Sequence, residues 1–256
     1  MRLLVKLGGT LLDAAETRRS LACQIAGAAK RGIETVVVHG GGKQMTRFLT
    51  ERGVESTFVN GLRVTTPETL DAVIKVVAGS VNRELVAALA AAGARAVGIC
   101  GIDGGLVEAE PMDPALGAVG RILRGDPALL EALVAGGFLP VVACVGGDRQ
   151  GRLYNVNADQ MAVACAAAYG ADLLLFLTDV PGVKDETGAV CPALTMAQSE
   201  ELIARGAATG GMLAKLKATQ AALAQGVGQV RIAPGATDRI LERLLEDEPA
   251  GTRLTL

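Results

Sequence analysis

Aromatic residues are nearly missing from this chain, which has no tryptophan, two tyrosines and four phenylalanines, 2% in all. A large core must then come from Leu, Val, Ile and Ala, the filling usual between helices and a parallel sheet rather than inside an all-β sandwich. Histidine is scarcer still, His39 being the only one. No Ser-His-Asp or Cys-His arrangement can be built around it, and its place before a glycine run suits a structural group better than a base. Nor is there an excess of either charge: 25 Lys and Arg stand against 27 Asp and Glu, for a net charge of -2. The basic residues gather into no stripe, so nucleic acid is not an expected partner.

Cysteine is sparse and unpatterned. Cys23, Cys100, Cys144, Cys165 and Cys191 lie scattered in mostly apolar surroundings, without C-x-x-C or metal-ligand spacing. They read as reduced core residues of a cytoplasmic protein, and no metal held by protein ligands is expected. Long hydrophobic runs are also lacking. The longest uncharged stretch, Ala132 to Gly147, is broken by "GGFLP" and reads as helix end, turn and strand, so no membrane association is expected. Lys6 interrupts the first apolar run and no small-residue cleavage site follows, which argues against a signal peptide.

What the chain has is glycine, 33 residues of it, and 50% hydrophobic residues over 256 positions. That suffices for one large α/β domain or two closely fused lobes. The runs "LLVKL", "TVVVHG", "AVGICG", "LPVVACVG", "DLLLFLTD" and "QVRIA" alternate with alanine-rich stretches of helical periodicity. This rhythm predicts an α/β fold with a mostly parallel central sheet sandwiched by helices. "AETRRSLACQIAGAAKRG" predicts a helix closed by Gly32, completing a βαβ unit. The segment from Thr65 to Gly93 predicts a long helix with a Thr cap, Pro67 in its first turn and a break at Gly79, its small apolar residues fit for an interface. Residues 102–122 and 146–157 read as hairpins flanking a cleft, and a soft boundary falls near Gly170.

Three glycine turns follow strand-like runs: "KLGGT" (6–10), "VHGGGKQ" (38–44) and "GGMLAKLKA" (210–218). None is a P-loop or a clean dinucleotide fingerprint. Singly each is a tight turn; together they can cradle a phosphate chain, since a glycine lets backbone N–H groups approach and a helix start adds positive potential. Lys6, Lys215 and Lys217 read alone as a strand-end lysine and a polar helix face. Beside glycine turns they offer the fixed positive charge that phosphoryl transfer needs. In "NVNADQ", Asn155, Asn157 and Asp159 are either an ordinary Asx cap or, functionally, a substrate ligand (Asn155) and an anchor for the lysines (Asp159). Arg63 in "NGLRVT" either pairs with a protein carboxylate or clamps a substrate carboxylate with two bonds.

The order and spacing of "VKLGG", "VVVHGGGKQ", "NGLRVT", "NVNADQMA", "LTDVPGV" and "GGMLAKLKA", with "GTRL" near the C-terminus, resemble the acetylglutamate kinases of the amino-acid kinase family over essentially the whole chain. The Lys-Gly-Gly and Asp-Val-x-Gly elements are shared with aspartokinases, glutamate 5-kinases and carbamate kinases; "NGLRVT" with "NVNADQ" is the specific part. The resemblance implies transfer of the γ-phosphoryl of ATP to the side-chain carboxylate of N-acetyl-L-glutamate in arginine biosynthesis, with Mg²⁺ held mainly by the nucleotide phosphates. Such a carboxylate, with a pKa of about 4.3, is already ionised at neutral pH and needs no base.

By the same resemblance, Lys6 and Lys215 stabilise the transition state and Asp159 orients them. Gly8, Gly9, Gly41 and Gly42 offer backbone donors to the phosphoryl group and substrate. Arg63 and Asn155 hold the α-carboxylate and acetamido region, while Thr178, Asp179, Gly211 and Met212 lie along the nucleotide. Two lobes are implied, residues 1–170 for acetylglutamate binding and dimerisation and 171–256 for ATP. "GICGIDGGL" (98–106) resembles the carrier-protein-linked aminoadipate kinases of lysine biosynthesis as well, although those do not usually carry a run like "NGLRVT". A non-catalytic ligand sensor is the alternative from another class, and it has no need for Lys6, Asp159 and Lys215 together. Arginine-inhibited members of the family carry an extra helix ahead of the Lys-Gly-Gly strand. With that strand starting at about Arg2, the expectation is a homodimer built on Glu68 to Ala92 and no arginine feedback.

Overall fold

A computed structural model describes residues 1–256. The first apolar run forms β1 (Arg2–Leu7), buried without interruption from Leu3 onward, as a strand covered on both faces must be. After a short α1 (Gly9–Asp13), α2 (Ala15–Lys30) returns the chain to β2 (Glu34–His39). Gly32 turns it at φ +82, so the expected βαβ unit forms. Next come α3 (Gly42–Thr50) and a tight hairpin of β3 (Phe58–Val59) and β4 (Leu62–Arg63).

The long helix begins as expected: the Thr66 side chain accepts from Thr69 N–H at 3.2 Å and Pro67 opens α4 (Pro67–Val73). It does not break at Gly79. Instead it passes through a π-helical segment (Ile74–Val81) into α5 (Asn82–Ala91). The wider winding absorbs the glycine without ending the helix.

Beyond it lie β5 (Ala96–Cys100), β6 (Val107–Pro111), β7 (Val119–Gly125), α6 (Ala128–Ala135), β8 (Leu139–Ala143), β9 (Val145–Gly147), β10 (Leu153–Val156) and α7 (Ala158–Tyr169). The remainder supplies β11 (Leu173–Thr178), β12 (Ala193–Thr195), α8 (Met196–Ala204), α9 (Gly210–Ala224), β13 (Gln229–Pro234), α10 (Ile240–Leu245) and β14 (Thr252–Thr255).

Eight strands make one sheet in the order β12-β14-β13-β11-β1-β2-β8-β5. Every neighbouring pair is parallel except β13 with β14. A single cluster of 61 buried residues packs around it. Strands from residues 1–170 fill one half of the sheet and those from 171–256 the other, meeting where β1 pairs with β11. The chain crosses between them at Gly170, the left-handed cap of α7 at φ 66. Because β1 leads to β2 on one side and β11 enters on the other, the carboxyl end of β1 is the switch point where open α/β sheets bind ligands. The two expected hairpins, β6–β7 and β9–β10, join in a closed ring of four strands beside the sheet.

Cysteine burial corrects one expectation. Cys144 and Cys165 are buried and Cys100 and Cys191 half-buried, but Cys23 is exposed on α2, because it falls on the solvent side of that amphipathic helix. All five thiols are free. No helix is long and apolar enough to cross a membrane.

Candidate active site

Lys6, next to last in β1, is held between β2 and β11 and only 6% exposed. Its ammonium lies 2.7 Å from Asp159 Oδ1. Lys215, from α9, approaches the other oxygen, Oδ2, at 3.5 Å. Asp159 is in the first turn of α7, which Asn157 caps: Asn157 Oδ1 accepts from Asp159 N–H at 2.8 Å and Gln160 N–H at 3.3 Å. The Asx cap anticipated in "NVNADQ" is therefore Asn157, leaving the Asp159 carboxylate to turn toward the sheet. Burial pushes that carboxyl up, but the Lys6 and Lys215 charges outweigh it and hold it below the usual carboxylate range. One anion thus serves two cations, and the group as a whole carries a net positive charge. Lys217 is exposed on the outer side of α9 and forms no part of the group.

The first two glycine turns meet. A Cβ on Gly9 would sit 3.0 Å from Gly42 N and 3.4 Å from Gly41 Cα, and Gly41 is walled by Val77 and Val81 at 3.2 and 3.4 Å. Gln44 Nε2 donates to Gly9 O at 3.2 Å, tying one turn to the other. Gly40 and Gly41 are buried, yet neither N–H reaches an acceptor in the chain. Buried N–H groups are rarely left orphaned, and successive unpaired backbone N–H groups in one turn are of the kind that can receive an anion. Gly8 departs from the expectation of a free donor: its N–H donates to Leu177 O at 3.0 Å, so the close approach there serves the β1–β11 seam.

Arg63, at the end of the β3–β4 hairpin, is 9% exposed and none of its side-chain partners is a carboxylate. Neutral oxygens hold it instead: Ser56 Oγ, Thr46 Oγ1 at 2.8 Å and Gly42 O at 3.2 Å, with the guanidinium 4.6 Å over the Phe58 ring. Pairing with a protein carboxylate is thereby removed from its two readings. Thr65 Oγ1 donates to Arg63 O at 2.9 Å and accepts from Asn155 Nδ2 at 3.0 Å, so this buried threonine couples Arg63 to Asn155.

On the other flank, Thr178 ends β11 and its hydroxyl donates to Asp179 Oδ1 at 3.2 Å. Burial raises the Asp179 carboxyl, but its own N–H, the Thr178 and Thr10 hydroxyls and the Lys215 charge together lower it. Gly211 and Met212 lie in the first turn of α9, after Gly210 at φ +52. They share a helix with Lys215, and Gly211 leaves open space where a Cβ would stand.

His39 is fully buried and neutral: desolvation takes its pKa down to about 4, against a smaller upward pull from its hydrogen bond to the Gly40 carbonyl. That agrees with a structural group. No three His, Cys, Asp or Glu side chains converge on a metal position. Residues that the motifs alone did not single out are Gln44, Thr65 and Thr10. All three lie inside quoted motifs, but which atoms they join depends on contacts between separate turns.

Residues 1–234 match the model of the amino acid kinase family. The acetylglutamate kinase of Solibacter usitatus (strain Ellin6076) is 65% identical over 254 residues, 99% of each chain, and that of Geobacillus kaustophilus (strain HTA426) is 44% identical over 234 residues, 91% of this chain and 90% of the relative. The crystal structure of smu.665 from Streptococcus mutans UA159 superposes with a TM-score of 0.86 at 29% identity, covering 99% of this chain and 98% of that one. With this agreement in sequence and fold, the chain belongs to the amino acid kinase family, among its acetylglutamate kinases.

Proposed function

We propose that this chain transfers the γ-phosphoryl of MgATP to the side-chain carboxylate of N-acetyl-L-glutamate, giving N-acetyl-L-glutamyl 5-phosphate and ADP in arginine biosynthesis. The observation that carries this reading is the pair of lysines sharing one buried carboxylate, Lys6 at 2.7 Å and Lys215 at 3.5 Å from Asp159, with the glycine turn after Lys6 packed against a second turn that holds two unpaired N–H groups. A carboxylate oxygen attacks γ-phosphorus as the bond to the β-phosphate oxygen breaks, with no proton to remove. Negative charge grows on the equatorial and bridging oxygens, where fixed positive groups act without reorganising. Lys6 and Lys215 supply that charge and Asp159 fixes their positions.

Gly9, Gly41 and Gly42 offer donors to the phosphoryl group. Arg63 and Asn155 take the α-carboxylate and acetamido group, and Thr178, Asp179, Gly211 and Met212 line the nucleotide. Mg²⁺ arrives with ATP and neutralises its phosphates. In this scheme residues 1–170 bind acetylglutamate and 171–256 bind ATP. We further propose a cytoplasmic homodimer. β5 is the open edge of the sheet with all five residues half-buried, an apolar edge that a second copy would cover.

A coupled assay of ADP release with purified protein tests the substrate. Turnover should require free N-acetylglutamate. Turnover only with a carrier-linked amino acid would move the chain to the rival kinases, and none with either would leave a ligand sensor.

A further inference from the structure

Beneath the second glycine turn lies a polar network that the transfer step does not use directly. Asn82, the first residue after the π-helical segment, is fully buried. Its Nδ2 donates to His39 Nε2 at 2.9 Å and to Val141 O at 3.0 Å, and its Oδ1 accepts from the Arg83 guanidinium. Every polar capacity of the amide is thus engaged but one lone pair. His39 Nδ1 faces Gly40 O at 2.9 Å. A carbonyl only accepts, so Nδ1 carries the proton and Nε2 is the acceptor for Asn82; the tautomer follows from its two partners.

The strands are shaped around this network. A Cβ on Gly98 of β5 would collide with Asn82 Oδ1 and Arg83, and the π-helical residues Val77 and Val81 close on Gly41 where a Cβ would lie. The Gly40–Gly41 peptide is trans, so its carbonyl and N–H point in opposite directions. With the carbonyl drawn to the His39 ring, the Gly41 N–H is turned to the other side of the peptide, and there it has no acceptor in the chain.

We propose that His39 and Asn82 are positioning residues for phosphoryl transfer: Asn82 fixes the imidazole, His39 holds the Gly40 carbonyl, and the Gly41 N–H is thereby aimed at the transferring phosphoryl group. The π-helical segment sets Asn82 under His39 while keeping Val77 and Val81 against Gly41. A network needed only for packing would be served as well by apolar groups of the same shape. This one instead fixes a single peptide plane next to the reacting atoms. The inference rests on the kinase reading above.

The test compares three proteins in the N-acetylglutamate assay: wild type, His39→Leu and His39→Asn. Asparagine places an N–H near the Nδ1 position and leucine places none. His39→Leu should lower kcat about 10- to 100-fold, less than the 10²–10³ of a deleted donor, with KM for N-acetylglutamate within about twofold, and His39→Asn should recover most of the loss. Equal kcat in His39→Leu and wild type, or equal losses in both variants, overturns the proposal. If the leucine variant does not fold, ¹⁵N-glycine-labelled wild type decides: the Gly41 amide resonance should move when MgADP, aluminium fluoride and N-acetylglutamate are added together. An unmoved resonance overturns the proposal without any variant. A wild type that does not turn over at all refutes the kinase reading instead, and so is distinguishable.

Discussion

Lys215 Nζ lies 3.5 Å from Asp159 Oδ2, a contact that crosses the seam between the two halves of the sheet. Lys6 takes the other oxygen of the same carboxylate at 2.7 Å. Helix α9 and strand β1 are thereby referenced to one buried atom group, which holds the two ammonium groups at a fixed separation.

Removing either charge should be felt in the chemical step. Lys6→Ala and Lys215→Ala are each expected to lower kcat on the order of 10²–10³ with smaller changes in KM, since their interaction grows as the phosphoryl group transfers. Steady-state kinetics checks this, and wild-type kcat in either variant would remove that lysine from the mechanism.

Asp159→Asn keeps the shape and removes the anion between two cations. Breaking a buried pair by deleting one partner costs on the order of 3 kcal/mol, so the variant should unfold at lower denaturant concentration than wild type. MgATP phosphates supply the missing negative charge, and saturating MgATP should stabilise the variant more than it stabilises wild type. Denaturant titrations with and without nucleotide read both effects; unchanged stability would mean that the lysines do not depend on Asp159.

Arg63→Lys should raise KM for N-acetylglutamate at least tenfold, an effect of about 1.4 kcal/mol, while KM for ATP stays within twofold. Lysine retains the charge but loses the planar fork and the stacking on Phe58. An unchanged acetylglutamate KM would return Arg63 to a purely structural tie between the hairpin and Gly42.

The buried His39 gives stability a pH dependence. Its folded pKa is about 4 against an ordinary 6.5, lowered by desolvation and further by nearby Arg83. Between these values the unfolded chain binds a proton that the folded chain refuses, so stability falls as pH drops from about 6.5 to about 4. With about 1.36 kcal/mol per unit, the difference approaches about 3 kcal/mol. Urea titrations at pH 7 and pH 4.5 should show a smaller loss in His39→Asn than in wild type. Equal losses would place the histidine in contact with water.

Much of this was legible from residue order. The six β-rich runs all became strands of the main sheet; the central ones, buried on both faces, must be continuously apolar and stand out. Lys6 and the glycine turns followed, since a charged residue in such a run and a glycine after it are local signals. The π-helical winding was not legible: its residues are those of an ordinary helix, and Gly79 reads as a break until packing against Gly41 favours the wider turn. Nor was the fate of the Gly8 N–H, which depends on β11, 165 positions or more along the chain, lying beside β1. Gln44 and Thr65 join separate turns, and such contacts belong to tertiary structure. Asn82 carried no motif at all, and only Gly98 on β5 hints that a strand leaves room for it.

The most direct test is whether phosphoryl transfer produces an acyl phosphate. Purified protein incubated with MgATP, N-acetylglutamate and hydroxylamine should yield hydroxamate equal to the ADP formed, because hydroxylamine captures an acyl phosphate as it leaves the site. ADP without hydroxamate would show that water, and not the substrate carboxylate, receives the phosphoryl group, and would contradict the proposed reaction.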